Sequence, residues 1–144
     1  MWLILALAAA VFWGATYVLD EQVYRHVSVP TTMAIHTLII SVCAWLVAWK
    51  QGTIESDFQI LSTSRVVAWL FFWCAVTFVI AEFLINFSIS AKNATLAGLI
   101  EISYPIFSAL FAYLVFGENQ LNFGTSVGGL FIAFGVVVVY WFSP

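Results

Sequence analysis

Residues 66–118 read VVAWLFFWCAVTFVIAEFLINFSISAKNATLAGLIEISYPIFSALFAYLVFGE. Two apolar runs, Val66 to Ser88 and Ala94 to Phe116, are parted by the break Ser90-Ala91-Lys92-Asn93. Each run matches the ~20 mostly apolar residues a helix needs to cross the hydrocarbon core of a bilayer. A break this short makes the two helices antiparallel neighbours. After the turn Gly117-Glu118-Asn119-Gln120 a further run occupies residues 121–142.

Upstream, Pro30 opens a run over residues 30–49 that stops at Lys50-Gln51-Gly52. Proline suits a first helical turn, where its missing N–H had no partner. Residues 50–65, with Glu55, Asp57 and Arg65, read as the one substantial loop. The first run, residues 2–19, is closed by Asp20-Glu21 and a polar stretch containing Arg25 and His26. No basic residue precedes it, and it continues past Ala8-Ala9-Ala10, so it reads as a retained helix rather than a cleaved leader. Trp2, Trp49, Trp69, Tyr140 and Trp141 lie near helix ends, as an interfacial aromatic belt requires. The expected fold is an all-α integral membrane domain over residues 1–144, with five helices at 2–19, 30–49, 66–88, 94–116 and 121–142 and the lipid bilayer as its solvent.

Composition agrees. The chain is 64% hydrophobic and 8% charged, whereas a soluble domain carries about a quarter charged residues. A scattered net charge of -3 argues against a nucleic-acid partner. Cys43 and Cys74 lie inside apolar stretches and read as small buried hydrophobes. No metal-ligand spacing, phosphate loop or nucleophile–base set is visible, so neither a cofactor nor an enzymatic activity is expected.

With five helices, Lys50 and Arg65 share one side of the membrane, and Arg25 and Lys92 share the other. Orientation is normally set by an excess of Lys and Arg in cytoplasmic loops. Here the count is two against two. Such a balance arises by chance in a chain with few charges, or from insertion in both orientations followed by antiparallel pairing.

Ionisable groups inside the hydrocarbon cost a few kcal/mol and tend to face a cavity or a partner. Glu82 lies ten residues before Lys92 and Glu101 nine after it, placing both roughly 14 Å from one face, near the midplane of a core about 30 Å thick. They are expected at the same level of one cavity. Asn86 shares a face with Glu82, and Tyr104 with Glu101. Pro105 removes a backbone donor and loosens the carbonyl ladder beside Glu101. His36, Trp13 and Tyr17 complete the candidate lining. A poorly hydrated cavity favours the protonated form of a carboxylate, and a second carboxylate favours it further. Capture of a cationic or amino-group substrate by Glu101 and Glu82 can therefore be exchanged for a proton, with Trp13, Tyr17 and Tyr104 stacking on the cation. The structural alternative is that each glutamate caps a hydrogen-bond network between helices. For His36 that alternative is a satisfied interhelical histidine, and for Trp13 simple packing. Glu118 reads as a residue that fixes its turn at the membrane surface. Ala6, Ala10 and Gly14, and Gly124 with Gly128, mark helix faces that allow close approach, inside the chain or at a dimer seam.

Two stretches carry a family resemblance. One is Phe12-Trp13-Gly14-Ala15-Thr16-Tyr17. The other runs from Ala91-Lys92-Asn93-Ala94-Thr95 through Tyr104-Pro105-Ile106-Phe107 to Phe116-Gly117-Glu118, then Gly128 and Gly135-Val136. Their order and spacing resemble one repeat of the EamA-type transporters of the drug/metabolite transporter superfamily, over nearly the whole chain. Most of that family resembles two such repeats in tandem, exporting amino acids, metabolites or drugs. The resemblance therefore implies half of an inverted-repeat transporter, working as a homodimer on a small-molecule substrate in the cell (inner) membrane. The four-helix multidrug members rely on an acidic residue in the middle of their first helix. Asp20 lies at the helix end here, so that mechanism does not carry over. Without an ATP-binding motif, an ion gradient or exchange would drive transport. The rival expectation is a non-transporting membrane scaffold or regulatory subunit of a larger complex.

Overall fold

The computed structural model describes residues 1–143; Pro144 lies outside the described residues. All regular structure among them is helical. The helices are α1 (Trp2–Val23), α2 (Val29–Gln51), α3 (Ile54–Thr63), α4 (Arg65–Ala91), α5 (Ala94–Glu101), α6 (Tyr104–Phe116) and α7 (Phe123–Phe142). Five spans are long and apolar enough to cross a membrane: α1, α2, α4, the continuous stretch Ala94–Phe116, and α7. The chain is a multi-pass membrane protein.

Local chemistry sets the ends. Pro30 sits in the first turn of α2, and Gly52 ends that helix at φ 70, a left-handed conformation that glycine adopts without a Cβ clash. Gly117 closes α6 in the same way at φ 69. α7 starts with a reciprocal cap: the Thr125 N–H donates to Asn122 Oδ1 at 2.9 Å, and the Asn122 N–H to Thr125 Oγ1 at 2.7 Å.

Three features depart from the sequence expectation. α1 runs on to Val23, past the acidic pair taken as its end, and Asp20 is buried. The helix continues because Asp20 and Glu21 both find partners, so charge alone does not stop it. The 50–65 loop contains α3. Ile54, Phe58 and Leu61 recur at helical spacing, and Glu55 and Asp57 favour its first turn. The Phe58 ring stacks on Trp45 of α2 at 6.0 Å. Finally, the fourth span is a single stretch in length but two helices in bonding, α5 and α6, joined at Ile102–Ser103.

The chain divides into two compact units, one of Met1–Glu21 with the chain from Ser88 onward, the other Gln22–Phe87. In the first unit the buried apolar residues are Ala94, Ala97, Ala112 and Ile89. Small side chains dominate because helices in lipid gain more from close backbone approach than from hiding apolar surface. α5 approaches α7 closely. In the second unit Val29 and Met33 are buried with Thr32 and Asn86. Cys43 and Cys74, expected to be buried, are exposed, as many large apolar side chains in each span are, a surface suited to lipid.

Candidate functional site

In the first unit, Glu101 is the last residue of α5 and is half-buried. Its Oε2 accepts a hydrogen bond from the Tyr17 hydroxyl at 2.5 Å, joining residues 84 apart in sequence. The Tyr17 ring lies against Gly98 of α5: a Cβ there would stand 3.4 Å from Tyr17 Cδ2 and 3.6 Å from Cε2, at the tight end of ordinary contact. Trp13, one turn earlier on α1, packs against Tyr17 with ring centroids 5.6 Å apart.

One turn later on the same face, Glu21 reaches the other end of α5, where its Oε2 accepts from the Ala94 N–H at 2.8 Å. Asn93 Oδ1 takes the Leu96 N–H at 2.8 Å. A helix leaves its first N–H groups without internal partners, and these two side chains satisfy a pair of them.

The junction after Glu101 is a change in hydrogen bonding. Ile102 and Ser103 keep right-handed helical angles. The Ser103 N–H, however, bonds the Ile100 carbonyl and the Ile106 N–H bonds the Ser103 carbonyl, three-residue spacings in place of four. Pro105 has no N–H to offer the Glu101 carbonyl, four residues earlier. Both the carboxylate and the carbonyl of Glu101 therefore lie where the helical ladder is interrupted.

Tyr104, the first residue of α6, is 62% exposed. No partner for its hydroxyl is found among the described residues, so the chain by itself does not bring it onto the Glu101 carboxylate.

In the second unit, Asn86 is 7% exposed and fully engaged. Its Nδ2 donates to the Glu82 carbonyl at 2.9 Å and to Glu82 Oε2 at 3.2 Å. Its Oδ1 accepts from the Tyr24 hydroxyl. Glu82 itself is half-buried in a continuous helix. His36 lies on the exposed side of α2.

Tyr24, Glu21 and Asp20 did not emerge from the sequence as site residues. The signal was there: Tyr17, Glu21 and Tyr24 are spaced as one helical face, which becomes visible once the helix is allowed to continue past Leu19. Among the described residues no group of three His, Cys, Asp or Glu could hold a metal ion.

The EamA-like transporter family matches residues 1–141. The chain belongs to that family. No curated protein and no solved structure matches it. Membership of the EamA-like family makes the chain a small-molecule transporter in general class and a single repeat in architecture.

Proposed function

We propose that the chain is a secondary transporter of small polar or cationic metabolites, amino-acid-like or drug-like, that works as a homodimer in the cell (inner) membrane and exchanges a proton for its substrate. The observation that carries this reading is Glu101. It is a carboxylate inside a spanning stretch, at an interrupted helical ladder, held by a neutral hydroxyl. A substrate ammonium competes well for such a group, because a charge-assisted hydrogen bond is stronger than a neutral one. The freed carbonyl of Glu101 offers a second acceptor. Trp13, Tyr17 and Tyr104 supply aromatic faces for the rest of the cation. Glu82, held by Asn86, would serve as a further proton or cation ligand, with His36 as an additional polar group.

A second copy is favoured by what one chain leaves open. Tyr104 is largely exposed within a membrane span. Added Cβ atoms at Gly14 and Gly128 would meet nothing within 4 Å. A partner laid against these faces would cover them, and the balanced basic residues suit an antiparallel pair.

The test is uptake into proteoliposomes of a panel of radiolabelled amino acids and amines, under an imposed pH gradient. Glu101→Gln should reach the membrane folded and lose pH-dependent uptake. Unchanged uptake across pH would remove the coupling role, and full tolerance of Glu82→Gln with Glu101→Gln would point to a scaffold subunit. Labelling single cysteines placed in residues 53–64 of a Cys43/Cys74-free version, from outside intact cells, tests the pairing. About half the molecules labelled is the outcome expected of dual insertion.

A further inference from the structure

α5 is gripped at both ends by one face of α1. Glu21 holds its first N–H through Ala94, and Tyr17 holds its last side chain through Glu101. Between the two grips the Tyr17 ring rests on Gly98. The two α1 residues are four apart, and they meet residues 94 and 101 in the reverse order, so α5 runs antiparallel to the end of α1. Beyond Glu101 the Ile102 N–H still reaches the Gly98 carbonyl, but the Ser103 and Ile106 N–H groups make three-residue bonds and Pro105 removes a four-residue one.

We propose that Tyr17 is the positioning residue of this site. Through its bond to Glu101 it latches α5 to α1, and when the latch opens the Glu101 end of α5 is released from α1, with the Ile102–Ser103 junction giving way between α5 and α6. The chemistry of the latch follows from its members. A phenol O–H can only donate to the carboxylate it faces, so anything that claims Glu101 more strongly competes with Tyr17 directly. Glu21 grips the opposite end of α5, at the Ala94 N–H, so a group that claims Glu101 does not compete for it directly. The N-terminal grip therefore persists while the C-terminal one opens, which confines the movement to the end of α5 that carries Glu101. α5 also lies close to α7. That side of α7 offers no carboxylate or amide, since its polar residues within the helix are Thr125, Ser126 and Tyr140. The link between substrate occupancy and latch opening rests on the transporter reading above. The latch itself does not.

Hydrogen–deuterium exchange of the purified chain in lipid nanodiscs tests the latch without any substrate. Tyr17→Phe should speed exchange of the amides of residues 98–103 by about tenfold or more, the effect of losing a hydrogen bond to a charged group. Residues 107–116 of α6 should be unchanged. Glu101→Ala removes the same bond from the other side and must give the same pattern, which keeps the test decisive if the Tyr17 variant fails to fold. Glu101→Gln keeps an oxygen for Tyr17 and should exchange like the wild type. The Tyr17→Phe/Glu101→Ala double variant should go no further than either single one. Unchanged exchange in both single variants, or a rise spread evenly through α6, would overturn the latch. If Glu101→Gln keeps normal pH-dependent uptake while the exchange pattern appears as described, the proton-exchange role of Glu101 fails and the latch stands.

Discussion

Glu101 and Glu82 are both carboxylates inside membrane spans, and the chain treats them differently. Glu82 has a partner on its own helix: Asn86, four residues on, bonds both its carboxylate and its carbonyl, and Tyr24 in turn donates to Asn86. The helix that carries it runs unbroken for 27 residues. Glu101 is served from a distant part of the sequence by a single hydroxyl, and its helix ends with it. A group fixed by its own helix moves only with that helix. One fixed across a helix pair, beside a break, can be let go. On the proposed transport reading, Glu101 is therefore the carboxylate suited to exchange.

The largest expected effect separates the two directly. In the uptake assay, Glu101→Gln should lower transport by tenfold to about a hundredfold, the span expected when a hydrogen-bonded charge is removed from a binding site. Glu82→Gln keeps an oxygen for Asn86 and should cost less than about tenfold by the same reasoning. Equal losses would break the comparison and make the two carboxylates one functional unit.

The reverse order is expected for stability. Asn86 is buried and makes three hydrogen bonds, so Asn86→Ala removes its bonds to Tyr24 and to the carboxylate and carbonyl of Glu82. That should destabilise the folded chain by about 1–3 kcal/mol. Tyr17→Phe removes one bond between half-buried groups and should cost about 1 kcal/mol. Thermal unfolding in detergent, followed by tryptophan fluorescence, ranks the two. A larger loss for Tyr17→Phe would place the structural anchor in the first unit instead.

The difference between the two carboxylates was only partly legible in the sequence. Hydropathy delivers the five spans, and the spacing of Glu82 and Asn86 delivers their shared face, because both depend on residues close together in the chain. Tyr104 was placed beside Glu101 by the same spacing rule, yet it begins a new helix on an exposed face. The partners Glu101 and Ala94 do have, Tyr17 and Glu21, lie 84 and 73 residues away. No local pattern reports such pairs. Hydropathy also ends a helix at its first charges, which hid the last turn of α1 and with it Asp20, Glu21 and the approach to Tyr24. α3 was hidden in a similar way, since six charged and polar residues over a short stretch outweigh four apolar ones unless their period is checked.

Pro105 sharpens the comparison from the side of the break. Pro105→Ala restores an N–H for the Glu101 carbonyl and should merge α5 with α6, making this span resemble the unbroken helix of Glu82. Proline in a first helical turn is well tolerated, so the gain in stability should stay near or below about 1 kcal/mol, far from the ~3 kcal/mol of a helix interior. The informative readout is transport: a more stable variant that moves substrate more slowly would show that the interruption serves exchange. Faster or equal transport would show that Glu101 works without it.

The smallest effect belongs to Gly98, where two tendencies nearly cancel. Alanine in place of glycine inside a helix gains roughly 0.5–1 kcal/mol by restricting the unfolded chain. Against this, the new Cβ would stand 3.4 Å from Cδ2 and 3.6 Å from Cε2 of the Tyr17 ring, the tight end of ordinary contact. The ring edge can give by a few tenths of an ångström, so Gly98→Ala should leave thermal stability within about 0.5 kcal/mol of the wild type. Gly98→Val has no such freedom, because its branched methyls must enter the space the ring occupies. It should push Tyr17 off Glu101 and reproduce the exchange pattern of Tyr17→Phe with the tyrosine still present. If Gly98→Val left residues 98–103 as protected as before, the ring would have another way to reach the carboxylate. The contrast between a latched Glu101 and an anchored Glu82 would then rest on the helix break alone.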